Sequence, residues 1–118
     1  MRYLLMIHEK RGERDTRGEE QGRALYQEMT AFGERLRAEG RLLAVESLLP
    51  DRHAVRVQLE QGRAQLRDGP FAETREMVGG FFLVECADRA EAVALAQECP
   101  AARFACVEVR ECGPCYRA

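Results

Sequence analysis

At 118 residues and 46% hydrophobic, the chain is long enough to bury one core and too short for two. Its 18 basic and 20 acidic residues interleave to a net charge of −2, which leaves no basic field for a phosphate backbone and argues against direct nucleic-acid binding. No apolar run approaches the roughly 18 residues of a membrane helix, and the stretch after Met1-Arg2 is too brief for a signal peptide, so a cytoplasmic protein with no membrane partner is expected.

Tyr3-Leu4-Leu5-Met6-Ile7 is apolar on both alternating faces, the pattern of a strand central in its sheet. From His8 to about Gly18 the chain turns charged, which predicts a solvated loop. Thr16 with Glu19 resembles a helix-start capping pair, and Leu25, Met29, Phe32 and Leu36 recur at helical spacing until Gly40 supplies a stop. Leu42 to Leu49, ended by Pro50-Asp51, reads as a second central strand.

Val55, Val57 and Leu59 alternate with polar residues, and after Gln61-Gly62 the alternation resumes with Ala64 and Leu66. With Gln61-Gly62 as the loop, Leu59 faces Ala64, Val57 faces Leu66, Val55 faces Asp68, and Glu60 pairs with Arg63 on the other side. A one-residue slip would send the apolar residues to opposite faces. This register aims Asp68 inward among the valines, where a carboxylate needs a partner or pays for its charge.

Asp68-Gly69-Pro70 cannot continue a strand ladder, so a polar loop is predicted from Asp68 through Glu76, closed by Gly79-Gly80. Gly80 to Cys86 then reads as a strand. Asp88 with Glu91 repeats the capping pattern, Ala92, Leu95, Ala96 and Cys99 make a helical stripe ended by Pro100, and Phe104 to Arg110 is a final strand. Residues 1–111 form the expected single domain and 112–118 a C-terminal tail.

The order of elements suits an α+β, ferredoxin-like sheet: two βαβ units with an inserted β-hairpin and both helices on one face. Strands apolar on both sides require the bare face to be buried as well, so a homodimer with a ligand cavity is expected.

The candidate site residues are few. Asp68, Glu73 and Glu76, positioned by Arg75, can present carboxylates to a small molecule, with Asp68 as a base. Alternatively Asp68 caps the turn by accepting backbone N–H bonds, and Glu73, Arg75 and Glu76 form a solvated ion-pair set. His8 becomes a catalytic base only with a partner, for which Asp68 or Glu46 is available; a strand-end histidine bonded to backbone or water is the plainer reading. Tyr26, near Met29, offers a phenol to a cleft or simply packs with a wet tip.

Cys112-Gly113-Pro114-Cys115 matches the thioredoxin active-site tetrapeptide, but only three residues follow it, too few for the helix that activates such a thiol. Two further ligands for a metal are lacking in the spacing, and no phosphate-binding or dinucleotide motif appears, so neither metal nor cofactor is expected. Five cysteines, an odd number without signs of secretion, are read as reduced.

Asp68-Gly69-Pro70-Phe71-Ala72-Glu73-Thr74-Arg75-Glu76, followed by Gly79-Gly80-Phe81-Phe82-Leu83, resembles the signature of the YCII-related family, in particular its DGPF branch, with Arg75 where Lys is common. The opening Met1 to Glu9, the helix end Ala38 to Leu43, and Val107 to Arg110 are similar to that family's other shared segments. The resemblance implies a ferredoxin-like fold that dimerises into an α/β barrel. It also implies a cleft related to dehydrochlorinases and, in fold, to muconolactone isomerases, hence isomerase- or lyase-like activity. A histidine-aspartate pair is the proposed site in such relatives, and Met29 stands where the helical histidine would be. Association with an extracytoplasmic-function sigma factor, as a regulatory or accessory protein without chemistry of its own, is the other role that the resemblance implies.

Overall fold

A computed structural model describes residues 1–118. The elements run β1 (Arg2–Lys10), α1 (Glu19–Ala38), β2 (Leu42–Ser47), β3 (Val55–Glu60), β4 (Arg63–Asp68), β5 (Glu76–Glu85), α2 (Arg89–Glu98) and β6 (Cys106–Glu111). β2-β5-β1-β6 form one antiparallel sheet in that order, and β3-β4 a separate two-stranded sheet. The protein is therefore α+β, and the chain alone closes no barrel. No helix is long and apolar enough to cross a membrane.

β1 is central, as its two-sided apolar pattern predicts, and β5 lies beside it, but β2 is not central: it pairs only with β5 and lies at the sheet edge. Leu43 is half exposed there. Edge and centre differ in hydrogen-bonding neighbours, which a Leu-Leu-Ala-Val composition does not encode.

One face of the sheet holds the core. Tyr3, Leu5 and Ile7 of β1 meet Phe82 and Val84 of β5, and Phe32 and Leu36 of α1 with Ala92 and Leu95 of α2 close over them. The Phe32 ring meets Phe82 edge-on at 5.2 Å between centroids, a favoured aromatic geometry. The opposite face carries Leu4 and Met6, paired with Leu83 and Phe81, all only half buried.

α2 begins on a reciprocal cap: Asp88 Oδ1 accepts from the Glu91 backbone N–H at 2.9 Å, and Glu91 Oε2 accepts from Ala87 N–H at 2.8 Å. The matching expectation for α1 is corrected. Gly18 is its N-cap and offers no side chain, while the Thr16 hydroxyl donates back to the Glu13 carbonyl at 2.7 Å and closes a 3-10 turn over Arg14–Thr16. The last strand starts at Cys106 rather than Phe104, because a 3-10 turn over Pro100–Arg103 delays it.

The hairpin has the expected register, with Val55 opposite Asp68, Val57 opposite Leu66 and Leu59 opposite Ala64. Gln61 and Gly62 both have positive φ, 51° and 77°, which a two-residue hairpin loop requires. The inward direction of Asp68 is corrected, however. β3 and β4 pack on no core of this chain, so Val57, Leu59, Leu66 and Asp68 are all exposed.

Gly79 and Gly80 belong to β5 and do not close a loop. A Cβ on Gly80 would lie 2.7 Å from the Glu46 carbonyl oxygen of the neighbouring β2. The β1–β5 register shifts beside Gly79, and a Cβ there would strike the Glu9 carboxylate. These glycines are close-approach positions within a sheet.

Candidate functional site

The loop from Gly69 to Arg75 is fastened from beneath by Arg11. Its guanidinium donates to both carboxylate oxygens of Asp51, at 2.7 and 2.5 Å, to the Phe71 and Thr74 carbonyls at 3.0 Å each, and to Thr74 Oγ1 at 2.9 Å. Asp51 Oδ2 also accepts from the Phe71 N–H at 3.2 Å. The bidentate guanidinium and this backbone donor hold the Asp51 carboxyl at about 2, below its usual 3.8. Asp51 thus does the backbone capping that the turn chemistry assigned to Asp68, whose side chain makes no hydrogen bond. Gly69 lies so close to the Asp51 carbonyl that no side chain fits.

Phe71, the one large apolar residue in this loop, is 4% exposed. The guanidinium of Arg56 lies 3.8 Å from its ring centroid and that of Arg67 5.0 Å away. Glu73 accepts from both arginines, and the hydrogen bond from Arg67 chiefly lowers its pKa. Phe71 and Glu73 therefore bind the hairpin to the loop.

The remaining expected site residues separate into two places. His8 and Glu76 lie on a shallow surface with Arg75 and Thr74. The partner of His8 is neither Asp68 nor Glu46: its Nε2 is 2.8 Å from Oε1 of Glu108 on β6, and Glu108 Oε2 accepts from Arg110 Nε at 2.8 Å. Arg110 first and His8 second lower the Glu108 pKa. The cross-strand alternation of β6 contains this pairing, but it becomes visible only once β6 is known to lie beside β1.

Tyr26 and Glu46 line a different space, a cleft between α1 and the β2-β5 edge. Its inner part, ≈ 230 Å³, is bounded by Tyr26, Met29, Gly33, Val45, Glu46 and Gly80. The outer part, ≈ 520 Å³, shares Ile7, Tyr26, Met29, Ser47 and Gly79 with it and adds Glu9, Arg14, Arg17 and Phe104. Met29 thus stands in the cleft, and no histidine is among its lining residues.

Glu9 was not among the residues singled out from the sequence. It is 6% exposed, the one buried charged side chain, and Arg14 grips both of its oxygens, Nε at 2.5 Å and Nη2 at 3.2 Å. Gly79 leaves room for that carboxylate beside the cleft. The available signal was alternation: Glu9 shares the inward face of Tyr3, Leu5 and Ile7, two residues beyond where the apolar pattern stops. All five cysteines are free, and burial pushes the thiols of Cys86 and Cys99 up. No cluster of His, Cys, Asp and Glu has the geometry of a metal site.

Fold and site together describe a small α+β domain with a cleft beside its sheet. The chain belongs to the YCII-related family, whose domain model matches residues 1–114. It is also similar to an uncharacterised protein of Rhizobium meliloti (strain 1021), at 28% identity over 98 residues, covering 83% of this chain and 79% of that one.

Proposed function

We propose that the protein is a small-molecule-binding homodimer of the DGPF type, with its ligand in the cleft between α1 and the sheet. The observation that carries this reading is the cleft itself, in which an apolar floor of Ile7 and Met29 meets the Tyr26 phenol and a buried, arginine-held Glu9 carboxylate. Concave, mostly apolar spaces with a few fixed polar groups are where small ligands bind.

The strand order β2-β5-β1-β6, with β1-α1-β2 and β5-α2-β6 as its halves, is the arrangement of a ferredoxin-like sheet. Pairing of two such sheets through Leu4, Met6, Phe81 and Leu83 is the simplest cover for the open face and yields the dimeric barrel. The exposed apolar side of the hairpin, Val55, Val57, Leu59 and Leu66, extends that contact.

Glu9 is the carboxylate nearest to hand for isomerase- or lyase-like proton transfer in the cleft, and its hold by Arg14 through both oxygens suits it to orienting a ligand rather than to taking a proton. Asp68 lies on the exposed hairpin and makes no hydrogen bond, and His8 faces the open side of the sheet with Glu108. Tyr26 and Glu46 keep their roles as ligand contacts. A metabolite panel screened by thermal shift against the wild type and Met29→Trp, whose indole fills the cleft, tests this reading. Compounds that raise the melting temperature of the wild type and not of the variant support it. A panel without a single such compound, together with recovery of a sigma factor from the cell extract, replaces it with the accessory role.

A further inference from the structure

Arg17 is the residue of the cleft that the proposed function leaves unused. Its Nη2 is buried without any hydrogen-bond partner. No carboxylate lies within ion-pairing distance, whereas its neighbour Arg14 is committed to Glu9. The guanidinium is held in place by stacking on Phe104, 5.0 Å from the ring centroid, and both residues line the outer cavity of ≈ 520 Å³. A guanidinium cannot shed its proton, and an enclosed charged donor without an acceptor is unfavourable. The residue as a whole is only partly buried, so a carboxylate in the cavity can pair with this preorganised guanidinium through N–H groups other than the enclosed Nη2.

Resting on the cleft reading above, we propose that Arg17 is the anchor for the carboxylate of a small organic acid whose apolar body lies against Ile7, Leu25, Met29 and Phe104. The Glu9–Arg14 pair is neutral as a unit, so it does not repel that acid, and it leaves Arg17 as the free cation of the cavity. The ligand class is thus a monocarboxylate with an aliphatic or aromatic body. A bare inorganic anion would leave the apolar wall wet, and a neutral isostere would leave Arg17 unpaired.

Amide and arginine Nε–H NMR titrations with hexanoate, hexanamide and inorganic phosphate test the assignment on the wild type and Arg17→Gln. Hexanoate is expected to shift the Arg17 Nε–H and the cleft amides, with hexanamide and phosphate each at least tenfold weaker. Arg17→Gln is expected to weaken hexanoate at least tenfold and leave hexanamide unchanged, with the dispersion of the remaining spectrum intact. The assignment is overturned if hexanoate does not bind, if hexanamide or phosphate binds as well as hexanoate, or if Arg17→Gln leaves hexanoate affinity unaltered. Hexanamide shifts confined to the cleft would then keep the cleft reading while removing the acid, whereas loss of all binding at the cleft removes both.

Discussion

Asp51 shows how a single carboxylate organises a loop that does not contain it. It joins Arg11 at the end of β1 to the Phe71 N–H, and Arg11 in turn holds the Phe71 and Thr74 carbonyls. Because the Asp51 pKa falls from 3.8 to about 2 on folding, its contribution is complete above the unfolded value and is lost as pH drops through the folded one. Between pH 4 and pH 2 the wild type should therefore lose melting temperature more steeply than Asp51→Asn, which lacks the titrating group. Parallel pH profiles of the two proteins in that window would remove the loop-fastening role. None of this was legible in Asp51, which reads as a strand terminator after Pro50. The acid-rich run from Asp68 to Glu76 is conspicuous in the sequence, although the carboxylate that caps its backbone lies some twenty positions earlier. Glu9 escaped for a related reason, since a lone charge at the end of an apolar strand looks like the start of a loop until a bulge at Gly79 makes space for it.

Among the elements, the β3-β4 hairpin was the most legible and the most misleading. Period-two alternation and the Gln61-Gly62 turn determine its register, because a slip exchanges the faces of all its residues. Alternation says nothing about what the apolar face meets, and within this chain it meets nothing. The hairpin is held at its base by Phe71 between Arg56 and Arg67, with Glu73 completing the charge set. Emptying a buried Phe site costs about 3–5 kcal/mol in a core, and here that loss falls on the hairpin and its loop. Phe71→Ala is expected to raise the rate of tryptic cleavage at Arg56, Arg63 and Arg67 at least tenfold while residues of the four-stranded sheet stay protected. Cleavage at the wild-type rate would mean that Phe71 does not anchor the hairpin. β2 illustrates the opposite limit: its existence was legible, but its place at the sheet edge depends on β5 and β6 lying on either side of β1, a long-range choice.

For the whole molecule, the two faces of the sheet divide the work. The helical face buries the core and, where α1 stands off the β2-β5 edge, leaves the cleft that holds Tyr26, Met29, Glu9 and Arg17. The other face presents half-buried Leu4, Met6, Phe81 and Leu83, bordered by the His8–Glu108 pair, so the proposed dimer contact and the proposed ligand cleft lie on separate surfaces. The two-sided apolar pattern of β1 made its central place in the sheet legible from sequence, whereas the cleft depends on the packing of α1 and was not. Native mass spectrometry of the purified protein, wild type and Met29→Trp, tests both surfaces in one measurement. Both proteins are expected at twice the 13.4 kDa chain mass, with a small-molecule adduct formed from the metabolite panel on the wild type alone. A 13.4 kDa monomer, or an adduct that persists unchanged in Met29→Trp, would contradict that expectation.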